Sequence, residues 1–423
     1  MMEKIIKVIN NNILILKNFS YLSFVQVLAI LMPLIYYPYL IRVLGSETYG
    51  KVLYAQAIIG FLSIFIQFGF SISATKNAAT IDNDKIEMSQ LFSVVFYLKL
   101  ILLLLSFLIL NSVVYIFEFE MITTGLLFIF FLTCIGDVFL VQWYYQGRQM
   151  MKFVALSTLI SRFLAMVGIF IFVNKETDYY ILAFILSLSS LFGNLVMFIN
   201  VFLNCKIKFC KVNKSLLIST FKESFTFFLS RLSVVLVDKI NIVIIGYFIG
   251  NSAISIYDLA SKMTALLQLP FNMLNQAFYP NIAKTKNTAK VFLLIKWLLP
   301  FSIFIYMISI YLSDWFVLFY AGEDMLYSSY IFAFLGIIVP INVISHFFGN
   351  CILVVHNFSK EFNLSIIFAF VLYLLSILFL SVLNMTTLWS FTISIIMFNV
   401  CVAVLRFYYS FQKGMFFIKS EDV

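Results

Sequence analysis

Charge is what this chain has least of. Only 11% of its 423 residues are charged, against 63% hydrophobic, and the mean hydropathy is +1.04. A water-soluble domain needs a charged surface, which this composition does not supply. Histidine is scarcer still, with His346 and His356 alone. That excludes a Ser-His-Asp or Cys-His arrangement and leaves a metal site short of ligands. Cysteine is sparse, odd in number and scattered. Cys134, Cys351 and Cys401 sit in apolar runs while Cys205 and Cys210 flank a polar loop, so reduced structural thiols are expected. Long polar intervals are missing too: no gap between apolar runs exceeds about 20 residues, roughly the length of one span. No soluble domain is expected on either face.

What is there is apolar run after apolar run. A bilayer core takes about 20 apolar residues per helix, and about twelve such spans can be placed. They fall near 18–40, 52–73, 89–115, 121–145, 153–173, 179–203, 223–249, 253–283, 288–312, 326–354, 362–383 and 387–411. Membrane strands would be shorter and would alternate. The fold class is therefore an all-α polytopic membrane protein. The first span is too long for a signal-peptide core and no small-residue cleavage site follows it, so it is expected to stay as a helix.

The scarce basic residues are sorted. The N-terminal tail holds Lys4, Lys7 and Lys17; the second and fourth gaps hold Lys76 and Lys85, then Arg148 and Lys152. The sixth holds Lys206, Lys208, Lys211, Lys214 and Lys222. The eighth and tenth hold Lys284, Lys286, Lys290, Lys296 and Lys360, and the C-terminal tail Lys413 and Lys419. The odd gaps and their margins have Arg42, Lys51 and Lys175. The positive-inside rule then puts both termini and the even gaps in the cytoplasm. The net charge of +9 is thus a topology signal with some attraction to anionic lipid. It gives no case for nucleic acid, because no basic, aromatic-interleaved soluble surface exists.

Two stretches imitate nucleotide sites. Gly45-Ser46-Glu47-Thr48-Tyr49-Gly50-Lys51-Val52 nearly spells a phosphate-binding loop, but Val52 replaces the metal-binding hydroxyl and no strand precedes it. ATP is not expected to drive this chain. Asp82-Asn83-Asp84 resembles a metal–sugar-nucleotide pair; without a nucleotide-binding domain it reads as a solvated turn. No cofactor and no metal are expected, and no enzymatic activity.

A few charges fall inside spans: Lys99, Arg162, Arg231, Lys239, Lys262 and Arg406, with Asp137, Asp238 and Asp258. Lys99 and Arg406 lie toward cytosolic ends and read as snorkelling. A deep charge costs roughly 2.5–3.5 kcal/mol on insertion scales, so the others need a partner or a wet cavity. Arg231 and Asp238 share one face of the seventh span. In the eighth, Asp258, Lys262, Asn272 and Gln276 lie within about 40° of one line, a polar stripe interrupted by Pro270. The second span carries Gln56, Gly60, Ser63 and Gln67 on one narrow face. An interhelical hydrogen-bonded seam would explain one stripe; two, with charges of both signs, favour a solvated central cavity.

The stripes are in register. A displacement of about 205 residues aligns Gly45 with Gly250, Ala55 with Ala260 and Ala78 with Ala283, and sets Ser63, Gln67 and Ser71 against Gln268, Asn272 and Gln276. An even number of spans separates the halves, so the repeats are parallel. The expectation is two six-helix bundles, 1–205 and 206–423, around a central cavity.

The opening stretch runs Asn18-Phe19-Ser20-Tyr21-Leu22, Gln26 and Pro33, then Pro38-Tyr39-Leu40-Ile41-Arg42-Val43-Leu44-Gly45-Ser46-Glu47-Thr48-Tyr49-Gly50. Ala55-Gln56-Ala57 and Phe68-Gly69-Phe70-Ser71-Ile72-Ser73-Ala74-Thr75-Lys76 follow. This resembles the N-terminal signature of Wzx-type O-antigen flippases, in the polysaccharide transporter branch of the multidrug/oligosaccharidyl-lipid/polysaccharide exporter superfamily. Asp137 with Gln142-Trp143-Tyr144-Tyr145-Gln146-Gly147 looks like that family's fourth-helix ending. Tyr257-Asp258-Leu259-Ala260-Ser261-Lys262 and Phe278-Tyr279-Pro280 look like its eighth helix. Lys76 departs from the pattern, where family members more often have Arg. The last third of the chain carries no such motif.

The resemblance implies movement of an undecaprenyl-pyrophosphate-linked oligosaccharide repeat from the cytoplasmic to the periplasmic leaflet of the bacterial inner membrane, in lipopolysaccharide O-antigen biosynthesis. Membrane lipids, the O-antigen polymerase and a chain-length regulator are the partners it implies. A pyrophosphate needs cations, for which Arg231, Lys262 and Arg162 are available. Sugar hydroxyls need amide and aromatic partners, which Gln56, Gln67, Asn272, Gln276 and Trp143 offer. Asp238 or Asp258 is the candidate for coupling to an ion in alternating access. A drug or cation antiporter of the same superfamily would share bundles and cavity, and the N-terminal signature argues against it. A membrane glycan polymerase would need a long periplasmic loop; the longest outward gap, near 313–325 with Asp314, Glu323 and Asp324, is short.

Overall fold

The computed structural model describes the backbone over residues 2–81 and 84–415, and side chains from residue 20 apart from 229–236 and 280. Asp82 and Asn83 of the sugar-nucleotide lookalike lie outside the described residues, as do the side chains of Arg231 and Pro280.

Everything regular among the described residues is helical. The chain runs α1 (Met2–Gln67), α2 (Phe70–Thr80), α3 (Lys85–Phe117), α4 (Met121–Val138), α5 (Gln142–Gly147), α6 (Met151–Phe172) and α7 (Tyr179–Leu203). It continues through α8 (Lys214–Phe248), α9 (Asn251–Thr285), α10 (Thr288–Ala321), α11 (Tyr327–Leu335) and α12 (Ile338–His346). A π-helical segment (Phe347–Val354), α13 (Ser359–Val382) and α14 (Leu388–Gln412) complete it. Nine helical segments among the described residues are long and apolar enough to span a bilayer. The 35-residue helix α9 is not among the nine, and α8, equally long, has its centre at 229–236 outside the residues whose side chains are described. α8 and α9 carry Asp238, Lys239, Asp258 and Lys262, four of the charges the sequence marks as out of place.

Helix ends follow local chemistry. The Asp84 carboxylate accepts from the Ile86 and Glu87 amides at 2.7 and 3.3 Å and opens α3. Asn287 and Thr387 cap α10 and α14 in the same way, satisfying donors no helix can pair internally. Gly45 leaves helical geometry at φ 74° and divides α1 into two arms, each longer than the ~20 residues a span requires.

Two apolar runs conceal breaks. The run near 121–145 is two helices, since α4 stops at Val138 and α5 starts at Gln142. The run near 326–354 becomes α11, α12 and the π segment. The outward gap placed at 313–325 shrinks, because α10 continues to Ala321 and Asp314 accepts from Ser329 Oγ at 2.5 Å. Hydropathy measures side chains and is blind to where the backbone changes pitch. Conversely, α9 runs helically through Pro270, where a break was expected.

Contacts divide the chain into two compact units, residues 1–44 with 51–235, and 45–50 with 236–423. A division at 205/206 remains a proposal about folding units. In the first unit α4 packs on α7, where Gly136 meets Leu191, beside an aromatic cluster of Phe92, Phe96, Phe198, Phe202 and Phe209. Gly69, at φ 74°, lets α2 start hard against α8: a Cβ there would lie 2.6 Å from the Ser224 carbonyl oxygen. The second unit's core joins Phe271, Val339, Val343, Phe347 and Ile352.

The outward faces are apolar. Leu104 and Leu108 of α3, and Leu375 and Phe379 of α13, are exposed, as lipid-facing residues are. Trp297 and Trp315 stand exposed near opposite ends of α10.

Candidate functional site

In the first unit the polar stripe of α1 finds a carboxylate. Ser63 Oγ donates to Asp137 Oδ2 at 2.5 Å, and Gln67 Nε2 donates to Asp137 Oδ1 at 3.2 Å. Asp137 is in the last turn of α4, where the helix ends and its carbonyls lose their intrahelical donors. Lys99 of α3 supplies them: its ammonium donates to the Asp137 carbonyl at 2.9 Å and the Leu140 carbonyl at 2.7 Å. Asn194 adds a bond to the Gly136 carbonyl at 3.0 Å. Lys99 is 3% exposed, so it does not snorkel as expected. A cation at a helix C-terminus is favourable electrostatics, and the broken helix gives it a reason to be buried.

This clamp positions α5. The carbonyl of Trp143 accepts from Thr75 Oγ1 at 3.4 Å, and Arg148 Nη1 donates to the Ile81 carbonyl at 3.0 Å. Trp143 itself is buried against Phe92. Beyond it, Glu223 accepts from Lys76 at 3.3 Å and Asn77 at 3.1 Å, and Ser73 pairs with Ser224 at 2.7 Å. α2 is thereby tied to the start of α8.

Arg162 of α6 is half-buried and donates to the Ala29 carbonyl at 3.5 Å; among the described residues no carboxylate reaches it. Gln56 is half-buried and stands outside the Asp137 network.

In the second unit Lys262 and Asp258 form an ion pair one helical turn apart, so the proposed phosphate and ion-coupling groups meet each other. Asp238 is exposed on α8. Nearby, Tyr373 donates to the fully buried Asn241 at 3.0 Å. The side chain of Arg231 lies outside the described residues, so its place beside Asp238 stays an expectation. Gln276 is half-buried, and Asn272 lines a small pocket between α9 and α12 with Gln268, Asn342 and His346.

Arg406, also expected to snorkel, is 6% exposed. Its Nη1 donates to the Ser345 carbonyl at 3.0 Å and to Ser345 Oγ at 2.9 Å, where α12 gives way to the π segment. Nε approaches Ser365 Oγ at 3.4 Å, and the guanidinium sits 4.3 Å from the Phe362 ring centroid. Sequence reasoning missed both roles because it judged Lys99 and Arg406 by depth alone. Among the described residues no group of three or more His, Cys, Asp or Glu is placed to hold a metal.

Residues 15–286 match the family described as "Polysaccharide biosynthesis protein". The chain is 26% identical over 380 residues to a "Putative O-antigen transporter" of Escherichia coli (strain K12), covering 87% of this chain and 90% of that one. It is 25% identical over 274 residues to a protein of the same description from Shigella dysenteriae, covering 63% and 67%. Similar solved structures are the lipid II flippase MurJ in an inward closed conformation and an inward-facing MATE family multidrug transporter of the MOP superfamily. MurJ superposes with TM-score 0.73 at 15% identity over 92% of this chain and 87% of that one. The MATE transporter gives 0.71 at 16% over 90% and 94%. At these identities the likeness is one of fold.

Proposed function

The chain belongs to the polysaccharide biosynthesis protein family, and from that premise we propose that it is a flippase for undecaprenyl-pyrophosphate-linked O-antigen repeat units. It carries them from the cytoplasmic to the periplasmic leaflet of the bacterial inner membrane, with both termini cytoplasmic. The observation that carries this reading is the polar content of two long helices: α8 and α9 hold Asp238, Asp258, Lys262, Asn272 and Gln276, and such groups inside a membrane protein mark a polar path.

In this reading the pyrophosphate-binding candidates are Arg162 and Arg231 in the first unit and Lys262 in the second. Arg162 is apt because the Ala29 carbonyl is its hydrogen-bond partner, which leaves its charge unneutralised. Lys262 is held by Asp258, so phosphate binding there displaces or shares that carboxylate, a link between substrate and ion. Asp238, exposed on the same polar pair of helices, is the other ion-coupling candidate. Gln56, Gln67, Asn272 and Gln276 offer amides to sugar hydroxyls.

Deleting the chain and probing spheroplasts with a glycan-specific reagent is the direct test. A lipid-linked repeat accumulating on the cytoplasmic face supports the proposal. Unchanged periplasmic delivery sinks it, and restored drug efflux by the chain would instead favour an antiporter.

A further inference from the structure

Between Asp178 and Glu223 the sequence has no acidic residue, and five lysines fall there: Lys206, Lys208, Lys211, Lys214 and Lys222. The positive-inside rule accounts for their number. It does not account for how the connection that carries them is held. From residue 206 to 213 the chain between α7 and α8 runs without helix, and a free loop would leave its amides to water. Here the Lys208 amide donates to Ser89 Oγ at 3.2 Å and the Cys210 amide to Ser93 Oγ at 2.9 Å. The match is geometric. Alternate residues of an extended chain are about 6.6 Å apart, and hydroxyls four residues apart on α3 are about 6 Å apart along its axis.

An extended strap alternates its side chains. Ile207 is buried, and the Phe209 ring lies 5.0 Å from Phe96 and 5.1 Å from Phe202 between centroids. Lys206 and Lys208 alternate with them and are exposed, as are Lys211 and Lys214 beyond. Among the described residues none of these four lysines has an ion-pair partner.

Depth narrows what answers the charge. α3 has 33 residues, about 50 Å of helix against a hydrocarbon core of about 30 Å, so about 10 Å remains for the headgroup layer at each end. Ser89 and Ser93 stand about 6 and 12 Å from its start. The strap pinned to them therefore lies in the headgroup layer, with Tyr97 and Leu203 exposed beside it, as boundary residues are. An acidic protein or a nucleic acid would have to enter that layer to reach the lysines. A phospholipid phosphate is already there.

We propose that residues 206–214 form a binding surface for anionic phospholipid headgroups, with Lys206, Lys208 and Lys211 on the lipid phosphates. The inference stands on the strap and α3 and is independent of what the chain transports.

The test titrates the full chain in neutral detergent with phosphatidylglycerol, phosphatidylcholine or undecaprenyl pyrophosphate, and counts bound lipids by native mass spectrometry. The native chain should hold phosphatidylglycerol in preference to phosphatidylcholine. Lys206→Gln, Lys208→Gln and Lys211→Gln together should weaken that binding about fivefold per lysine removed, the worth of one basic residue beside an anionic leaflet. Phosphatidylcholine binding should not change. The three Lys→Arg replacements should keep phosphatidylglycerol, since a guanidinium also pairs with phosphate. Lys208→Gln alone supplies the comparison if the triple variant does not insert. Equal binding of both phospholipids by the native chain, undiminished phosphatidylglycerol binding by folded Gln variants, or an Arg variant as weak as the Gln variant overturns the proposal. So does loss of undecaprenyl pyrophosphate alone, which would assign the strap to that carrier.

Discussion

Lys99 in the first compact unit and Arg406 in the second face one electrical problem with different parts. Each stands where a helix is interrupted, at the end of α4 and at the entry to the π segment after α12. Each gives its donors to carbonyls. The surroundings differ. Lys99 works beside a carboxylate, Asp137, itself held by Ser63 and Gln67. Arg406 has no ion-pair partner among the described residues, and relies on two serine hydroxyls and the Phe362 face. A compact ammonium suits two converging carbonyls next to a balancing charge, whereas a planar fork can spread over a carbonyl, hydroxyls and a ring. The difference teaches that interrupted helices fix the need for a cation, and the local acceptors fix which one.

Removing the cation from the acidic setting should have the largest effect. Lys99→Met removes the buried cation beside Asp137 and the donors of two carbonyls. It should cost about 3–5 kcal/mol, read as a lowered unfolding midpoint and poor membrane abundance. Adding Asp137→Asn should recover part of the loss. If it recovers nothing, the carboxylate is not what distinguishes this clamp.

Arg406→Met should cost less, about 2–3 kcal/mol, because hydroxyls and a carbonyl are left but no charge. Arg406→Lys keeps the charge and loses the fork, so an intermediate midpoint is expected. A variant as stable as the parent would mean the fork geometry is unimportant.

The hydroxyls sharpen the contrast further. Ser63→Ala removes a bond to a carboxylate and should destabilise by about 1.5–3 kcal/mol. Ser365→Ala removes a long contact to Arg406 and should cost about 1 kcal/mol or less. Equal losses would erase the distinction between the two settings.

The smallest effect concerns pH and belongs to the second unit. His356, in the turn after the π segment, has a buried Nε2 with no partner among the described residues. Burial and the neighbouring Lys286 push its pKa below the ordinary 6.5. The folded state then takes up a proton less readily than the unfolded one. Its contribution is present above pH 6.5 and declines as the pH falls from there toward the lowered folded value. His356→Asn should flatten that slope in pH-dependent unfolding, and an unchanged slope would assign the dependence elsewhere.

The all-α membrane class and the family signature were legible because composition, run length and motif carry them; the twelve spans were not, since nine candidate spans are found among the described residues. The ion pair of Asp258 and Lys262 was legible in part, since four residues apart is one helical turn. The Asp137 network was only half legible. Ser63 and Gln67 declared a polar face, Asp137 declared a buried acid, and nothing in one sequence says that those helices touch. Lys99 was misread for a physical reason: its hydropathic position matches that of a snorkelling lysine, and the freed carbonyls that hold it exist only because α4 stops short inside an unbroken apolar run. The pocket residues Asn342 and His346 gave no periodic signal of their own, because each is one polar group in an apolar stretch.

The two exposed tryptophans of α10 make the protein its own depth gauge. Trp297 and Trp315 lie roughly 27 Å apart along the axis at 1.5 Å per residue, close to the ~30 Å thickness of a hydrocarbon core. The chain has four tryptophans, and Trp143 and Trp389 can be replaced by Phe to leave this pair as the emitters. Lipids brominated at successive carbons should then dim the pair most when the bromines sit shallow in either leaflet, and least when they sit at the bilayer centre. A single maximum at the centre would mean that Trp297 and Trp315 do not stand at opposite faces of the membrane.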